Sequence, residues 1–97
     1  MILVVGGTGE GRLLIRGLRQ AGYQIATWVD SAYGEQLARQ DGAVSIFTGP
    51  LTVDKLAAIG SNGQLEAVID ASLPYPDYVS RTLEDWCQQQ QLYYLRF

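Results

Sequence analysis

Apolar residues in this chain come in short runs, separated by longer stretches where they recur every three or four positions. Residues 2–5 read ILVV, four apolar residues in succession, which predicts a buried strand. Leu14, Leu18 and Ala21 then share one helical face, and Gly22 stops that helix. A second strand is predicted over 24–29, and a short helix over 31–40 closed by Asp41-Gly42. Residues 44–47 predict a third strand, weaker and nearer an edge. A helix over 52–60 follows, with Leu56 and Ile59 inward and a loop at SNG. The fourth strand, 67–69, ends at Asp70. Val79, Leu83, Trp86 and Cys87 mark one face of a fourth helix, and 92–95 form a fifth strand. The run of glutamines at 88–91 is too short to count as low complexity and falls at a helix end.

Strands alternating with helices over short connections predict a parallel sheet covered on both faces. Right-handed crossovers leave few arrangements. The expected fold is α/β: a Rossmann-like, doubly wound three-layer sandwich with a five-stranded parallel sheet in the order 3-2-1-4-5. With 97 residues, the chain is expected to make a single domain, residues 1–97.

Composition narrows the function classes. Seven basic and ten acidic residues give a net charge of −3, which argues against a nucleic-acid partner. No apolar run approaches the roughly 18 residues of a membrane span, and no basic region precedes the first apolar run, so neither a membrane anchor nor a signal peptide is expected. Cys87 is alone, which makes a reducing cytoplasm the expected location. Histidine is absent, removing the commonest general base and metal ligand; with one cysteine, no metal site is expected.

The first strand runs straight into GGTGEGR, which holds four glycines between Gly6 and Gly11. In a doubly wound sheet, ligands bind beyond the carboxyl ends of the strands where the order reverses. Glycines there let a phosphate or ring approach the backbone, and the first N–H groups of the next helix favour an anion. Thr8 adds a hydroxyl. Arg12 lies in the first helical turn, where the helix dipole disfavours a cation, so an anionic ligand would account for it. The spacing departs from G-x-G-x-x-G, since position 8 is Thr. A tight turn without a ligand therefore stays open. Arg16 and Arg19 share helical spacing with Arg12 and read as a solvated face. Asp30, ending the second strand, reads either as a helix cap or as an acid on a ribose.

A second cluster, DASLPY at 70–75, brings Asp70, Ser72 and Tyr75 to the end of a central strand; Pro74 and Pro76 hold the segment extended, and a purely structural loop stays as open as a binding one. GGTGEGR at 6–12, SAYG at 31–34, DASLPY, Ser80 and YYLRF at 93–97 together resemble the N-terminal half of the precorrin-6A reductases of cobalamin biosynthesis. Those enzymes carry GGT-x-EGR, Ser-x-x-Tyr-Gly, D-A-T-H-P-F and a closing Y-L-R-F. The likeness spans nearly the whole chain in the right order.

The resemblance implies NADPH as cofactor and a tetrapyrrole-derived, carboxylate-rich macrocycle as substrate, held between two Rossmann-like halves. It assigns Gly6, Gly7, Thr8, Glu10, Gly11 and Arg12 to a first binding loop, and Ser31, Tyr33 and Gly34 to a second. Asp70, Ser72, Pro74 and Tyr75 fall in a third, with Arg96 nearby. Tyr33 or water would donate a proton. Leu73 stands where the family has histidine, so that histidine's role is not reproduced. On this reading the chain is an excised N-terminal domain whose partner is a missing C-terminal domain, and it is inactive alone. The alternative is a stand-alone Rossmann-like module that binds a nucleotide or acidic metabolite without catalysis. A phosphoacceptor receiver domain is excluded, because glycines rather than acids follow the first strand and the only lysine is Lys55.

Overall fold

The computed structural model describes residues 1–6, 9–29, 32–43, 45–49, 51–61, 63–71 and 77–96. Five strands, β1 (Ile2–Val5), β2 (Ile25–Val29), β3 (Ser45–Thr48), β4 (Ala67–Asp70) and β5 (Tyr93–Arg96), alternate with four helices, α1 (Gly9–Gln20), α2 (Ala32–Gln40), α3 (Val53–Gly60) and α4 (Asp77–Gln90). The strands form one all-parallel sheet in the order β3-β2-β1-β4-β5, as the pattern predicts. Every residue of β1 is buried, because a central strand is covered on both faces and needs apolar side chains at successive positions. The outer strands β3 and β5 are only partly buried.

The register divides the side chains cleanly. Leu3, Val5, Ala26, Trp28 and Val68 face α3 and α4, meeting Leu56, Ile59, Val79, Leu83, Trp86 and Cys87. Ile2, Val4, Ile25 and Ile69 face the other way and meet Ile15 of α1. The inward faces expected for α3 and α4 are observed. The one expected for α1 is rotated: Ile15 is the fully buried residue, Leu14 and Leu18 are partly buried, and Ala21 is exposed. Gly11 is buried too, so the contact stripe runs through Gly11, Ile15 and Leu18 at helical spacing. Ala21 lies past the helix end.

Three helices stop in the same way. Tyr23 N–H bonds to Leu18 C=O and Gly22 N–H to Arg19 C=O; Ala43, Gly42 and their acceptors repeat this after α2, as do Leu92 and Gln91 after α4. The turn needs a left-handed residue. Glycine supplies it at 22 and 42, but at 91 it is a glutamine with φ 57°. Helix α3 instead shows its start: Thr52 is extended, and its hydroxyl accepts from Lys55 N–H at 3.3 Å. Among the described residues no helix is long and apolar enough to cross a membrane.

Candidate functional site

The turn after β1 explains two of its glycines by packing. Gly6 N–H bonds to Trp28 C=O at 3.0 Å, and Gly6 has φ 139°. A Cβ there would lie 2.1 Å from the carbonyl oxygen of Ala71, the residue after β4. A Cβ on Gly11 would lie 2.8 Å from the Gly6 carbonyl oxygen. Only bare backbone lets β1, α1 and the end of β4 approach so closely. The consequence is positional. Helix α1 begins directly over the carboxyl end of β1, between β2 and β4, where the strand order reverses. Its first N–H groups are the ones an intrahelical ladder cannot use. A helix start in this position is of the kind that can receive a phosphate.

Arg12 has a partner within the chain. Its Nε donates to Asp41 Oδ2 at 2.8 Å and its second bond reaches Oδ1 at 3.4 Å; Arg16 Nε donates to the same Oδ1 at 2.8 Å. The Asp41 side chain is 3% exposed. Burial on its own would raise this carboxyl's pKa, but the hydrogen bonds and charges of Arg12 and Arg16 outweigh burial and hold it below the usual value. Asp41 follows α2. Helices joining parallel strands run back across the sheet, so the end of α2 lies away from the carboxyl edge. The anion that Arg12 faces here is a carboxylate of the chain. Arg16 is likewise more than a solvated residue, since it closes the same clamp. Arg19 donates to the Tyr23 carbonyl.

At the carboxyl edge itself, one strand over from β1, Asp70 closes β4 and is 1% exposed. It stands in register with Val5 on one side and Arg96 on the other, on the face that carries α3 and α4. A carboxylate in a rung of buried side chains needs donors. Tyr94, one rung back on β5, reaches diagonally and donates its hydroxyl to Asp70 Oδ2 at 2.5 Å. Burial, then the Asp70 carboxylate, pushes the Tyr94 phenol well above its ordinary value, while a hydrogen bond with Ser80 and the Arg96 charge act the other way. Asp70, Tyr94, Ser80 and Arg96 therefore form one polar cluster at the carboxyl edge.

The structure thus brings Gly6, Gly11, Asp70 and Arg96 to the carboxyl edge of the sheet and turns Arg12 toward Asp41. Glu10 belongs to α1 and Tyr33 and Gly34 to α2, with side chains outside the described part. Gly7, Thr8, Ser31, Ser72, Pro74 and Tyr75 lie outside the described residues, as does Asp30. Two residues were not singled out for their contacts from sequence. Asp41 read only as a helix stop. Tyr94 was part of YYLRF, and its pairing with Asp70 follows once β4 and β5 are adjacent and parallel.

Comparison with known proteins adds the following. A family model described as precorrin-6x reductase CbiJ/CobK matches residues 1–97. A cobalt-precorrin-6A reductase from Synechocystis sp. is 23% identical over 96 residues, covering 99% of this chain and 37% of that protein. One from Priestia megaterium is 29% identical over 98 residues, covering 100% and 38%. The chain thus spans well under half the length of these relatives. Among solved structures, an imine reductase from Myxococcus stipitatus, a V8 variant in complex with NAD+, superposes with a TM-score of 0.51 at 17% identity, over 99% of this chain and 39% of that one. That likeness concerns the fold.

Proposed function

We propose that this chain, which belongs to the precorrin-6x reductase family, is the N-terminal Rossmann-like domain of an NADPH-dependent precorrin-6A reductase of cobalamin biosynthesis. The observation that carries the reading is the family match over all 97 residues, set against 37% and 38% of the relatives' lengths. The start of α1 above β1, at the reversal of strand order, supports a dinucleotide there. So does the fold shared with a reductase that binds NAD+. The bound nicotinamide would supply the hydride, which is the demanding part of the chemistry. The chain's own part is to bind and orient. Gly6 and Gly11 let the α1 N-terminus approach a phosphate, with Gly7 and Thr8 between them in sequence and Glu10 in the first turn of α1. Asp70, held by Tyr94, fixes the edge beside it; Ser72, Pro74 and Tyr75 follow it in sequence, as Ser31, Tyr33 and Gly34 follow β2.

One wall of a cleft cannot surround both reactants, so turnover requires a further region of polypeptide, as catalysis by differential binding demands. The test is titration of the isotope-labelled 97-residue chain with NADPH and NADH, followed by amide shifts. Shifts at 6, 9–12 and 70–71 are expected, at roughly millimolar affinity. Shifts confined to the amino edge, at 22–24, 42–43 and 63–66, would refute the site. Robust reduction of a precorrin by this chain alone would refute the dependence on a further region.

A further inference from the structure

The two faces of the sheet are not equally covered. Helix α1 lies over β1 and β2, and α2 over β2 and β3, whereas β4 and β5 carry a helix on the opposite face only, where α4 packs. Among the described residues the α1 side of these two strands is therefore a bare strip. Its floor is Ala67, Ile69, Tyr93 and Leu95: Ala67 and Ile69 belong to the core under α1, and the register sets Tyr93 beside Ala67 and Leu95 beside Ile69. Tyr93 is 78% and Leu95 59% exposed. All-parallel sheets are buried on both faces, so apolar side chains in this place call for a cover. Helix α1 supplies one wall. With Ile15 set on the sheet and about 100° per residue, Arg12, Arg16 and Arg19 fall on one flank. Asp41 holds Arg12 and Arg16 toward α2. The opposite flank, on the β4 side, carries Leu14, Gly17 and Leu18. Leu14 and Leu18 are half-buried, and a Cβ on Gly17 would meet nothing within 4 Å.

We propose that one amphipathic helix seats on this strip beside α1, contributed by the polypeptide that the longer relatives carry outside the matched stretch. The dimensions favour it. Two strands of four residues make a floor roughly 10 Å wide and roughly 13 Å long. A helix is about 10–12 Å across, and about nine of its residues cover that length. A second copy of the chain would need about 800 Å² from each partner for specific association, several times this floor. The chain matches 37% and 38% of two relatives, so more than half of each lies outside the matched stretch and is available to supply the helix. Floor and wall residues are all uncharged, so the face that docks is apolar, with side chains recurring every three or four positions. Gly17 lets the axis of the incoming helix approach α1 closely. The relatives' length and the uncovered face support this seat independently of any cofactor.

The experiment titrates the methyl-labelled 97-residue chain with overlapping synthetic peptides of about 20 residues, long enough to hold the whole docking helix. Together they span the part of the Priestia megaterium reductase outside its matched stretch. One peptide, or one overlapping pair, is expected to shift the methyls of Leu14, Leu18, Ile69 and Leu95 and to gain helicity as it does so. An affinity of about 1 mM suffices, because a tethered helix acts at millimolar effective concentration. Leu95→Lys should weaken binding at least about tenfold, the worth of one buried leucine. Gly17→Gln, which fills the open side of α1, should weaken it as well, whereas Leu13→Lys, on the solvent side of α1, should leave it unchanged. All three positions are exposed, so the variants keep the fold. The proposal is overturned if no peptide moves these methyls up to about 2 mM, if Leu95→Lys or Gly17→Gln binds equally well, or if the chain alone self-associates through the same methyls. NADPH forms a separate arm: its failure to move residues 6 and 9–12 counts against the reductase reading and leaves the peptide result standing.

Discussion

Replacing Asp41 with Asn tests the clamp between α1 and the end of α2. The carboxylate receives two bonds of 2.8 Å, from Arg12 and Arg16, and one of 3.4 Å. A hydrogen bond to a buried charge contributes about 1.5–3 kcal/mol. The arginine side chains are 30% and 50% exposed, so solvent screens them and about 1 kcal/mol for each short bond is the safer figure. Asn keeps one acceptor but turns an N–H₂ toward a guanidinium. The expected loss is about 2 kcal/mol at neutral pH. At about 2.1 cal/mol/K per residue of unfolding entropy, this lowers the melting temperature by about 10 °C.

The pH dependence gives a second handle. The folded pKa of Asp41 lies below its ordinary value of 3.8, so the contribution is complete above 3.8 and is lost as pH falls through the folded value. The difference between the parent and Asp41→Asn should stay constant from pH 7 to about 5 and shrink below 3.8. Arg16→Ala should destabilise the parent and do almost nothing in the Asn background. Calorimetry or urea unfolding at several pH values reads all three. Equal melting temperatures at pH 7, or a difference that persists undiminished in acid, would refute the assignment.

Further outcomes are expected elsewhere. Gly6→Ala places a Cβ 2.1 Å from the Ala71 carbonyl at φ 139°, and should cost about 3 kcal/mol or more, measured by urea unfolding; unchanged stability would mean that the turn is not tightly packed. Gln91→Gly, which gives α4 the left-handed residue that α1 and α2 already have, should stabilise by about 1 kcal/mol, and a lower melting temperature would contradict it. Cys87 is buried and its thiol is pushed up to about 11, so a disulfide reagent at pH 8 should label it only as the protein opens; labelling as fast as a free thiol would contradict this. Tyr94→Phe removes the donor to buried Asp70 and should cost about 1–2 kcal/mol, an effect that largely disappears in an Asp70→Asn background.

The order of elements, the sheet order and the sides that α3 and α4 bury were all readable along the chain. Each depends on short-range signals: a run of four apolar residues, a repeat of three or four, a glycine at a stop, and the single hand of a crossover. The edge position of the third strand was readable for the same reason, because fewer of its side chains need cover. What could not be read concerns pairs distant in sequence. Arg12 and Arg16 meet Asp41 across 29 and 25 residues, and Tyr94 meets Asp70 across 24. From sequence, Arg12 asked for an anion. Only the crossing of α1 against α2 decides that a carboxylate of the chain lies within reach. Likewise Leu14 and Ile15 are equally apolar, and the helix's rotation on the sheet, set by the close approach of Gly11 to Gly6, selects Ile15. Hydrophobic periodicity is written residue by residue; partners for charges are decided by register and helix rotation, which exist only once the sheet has formed.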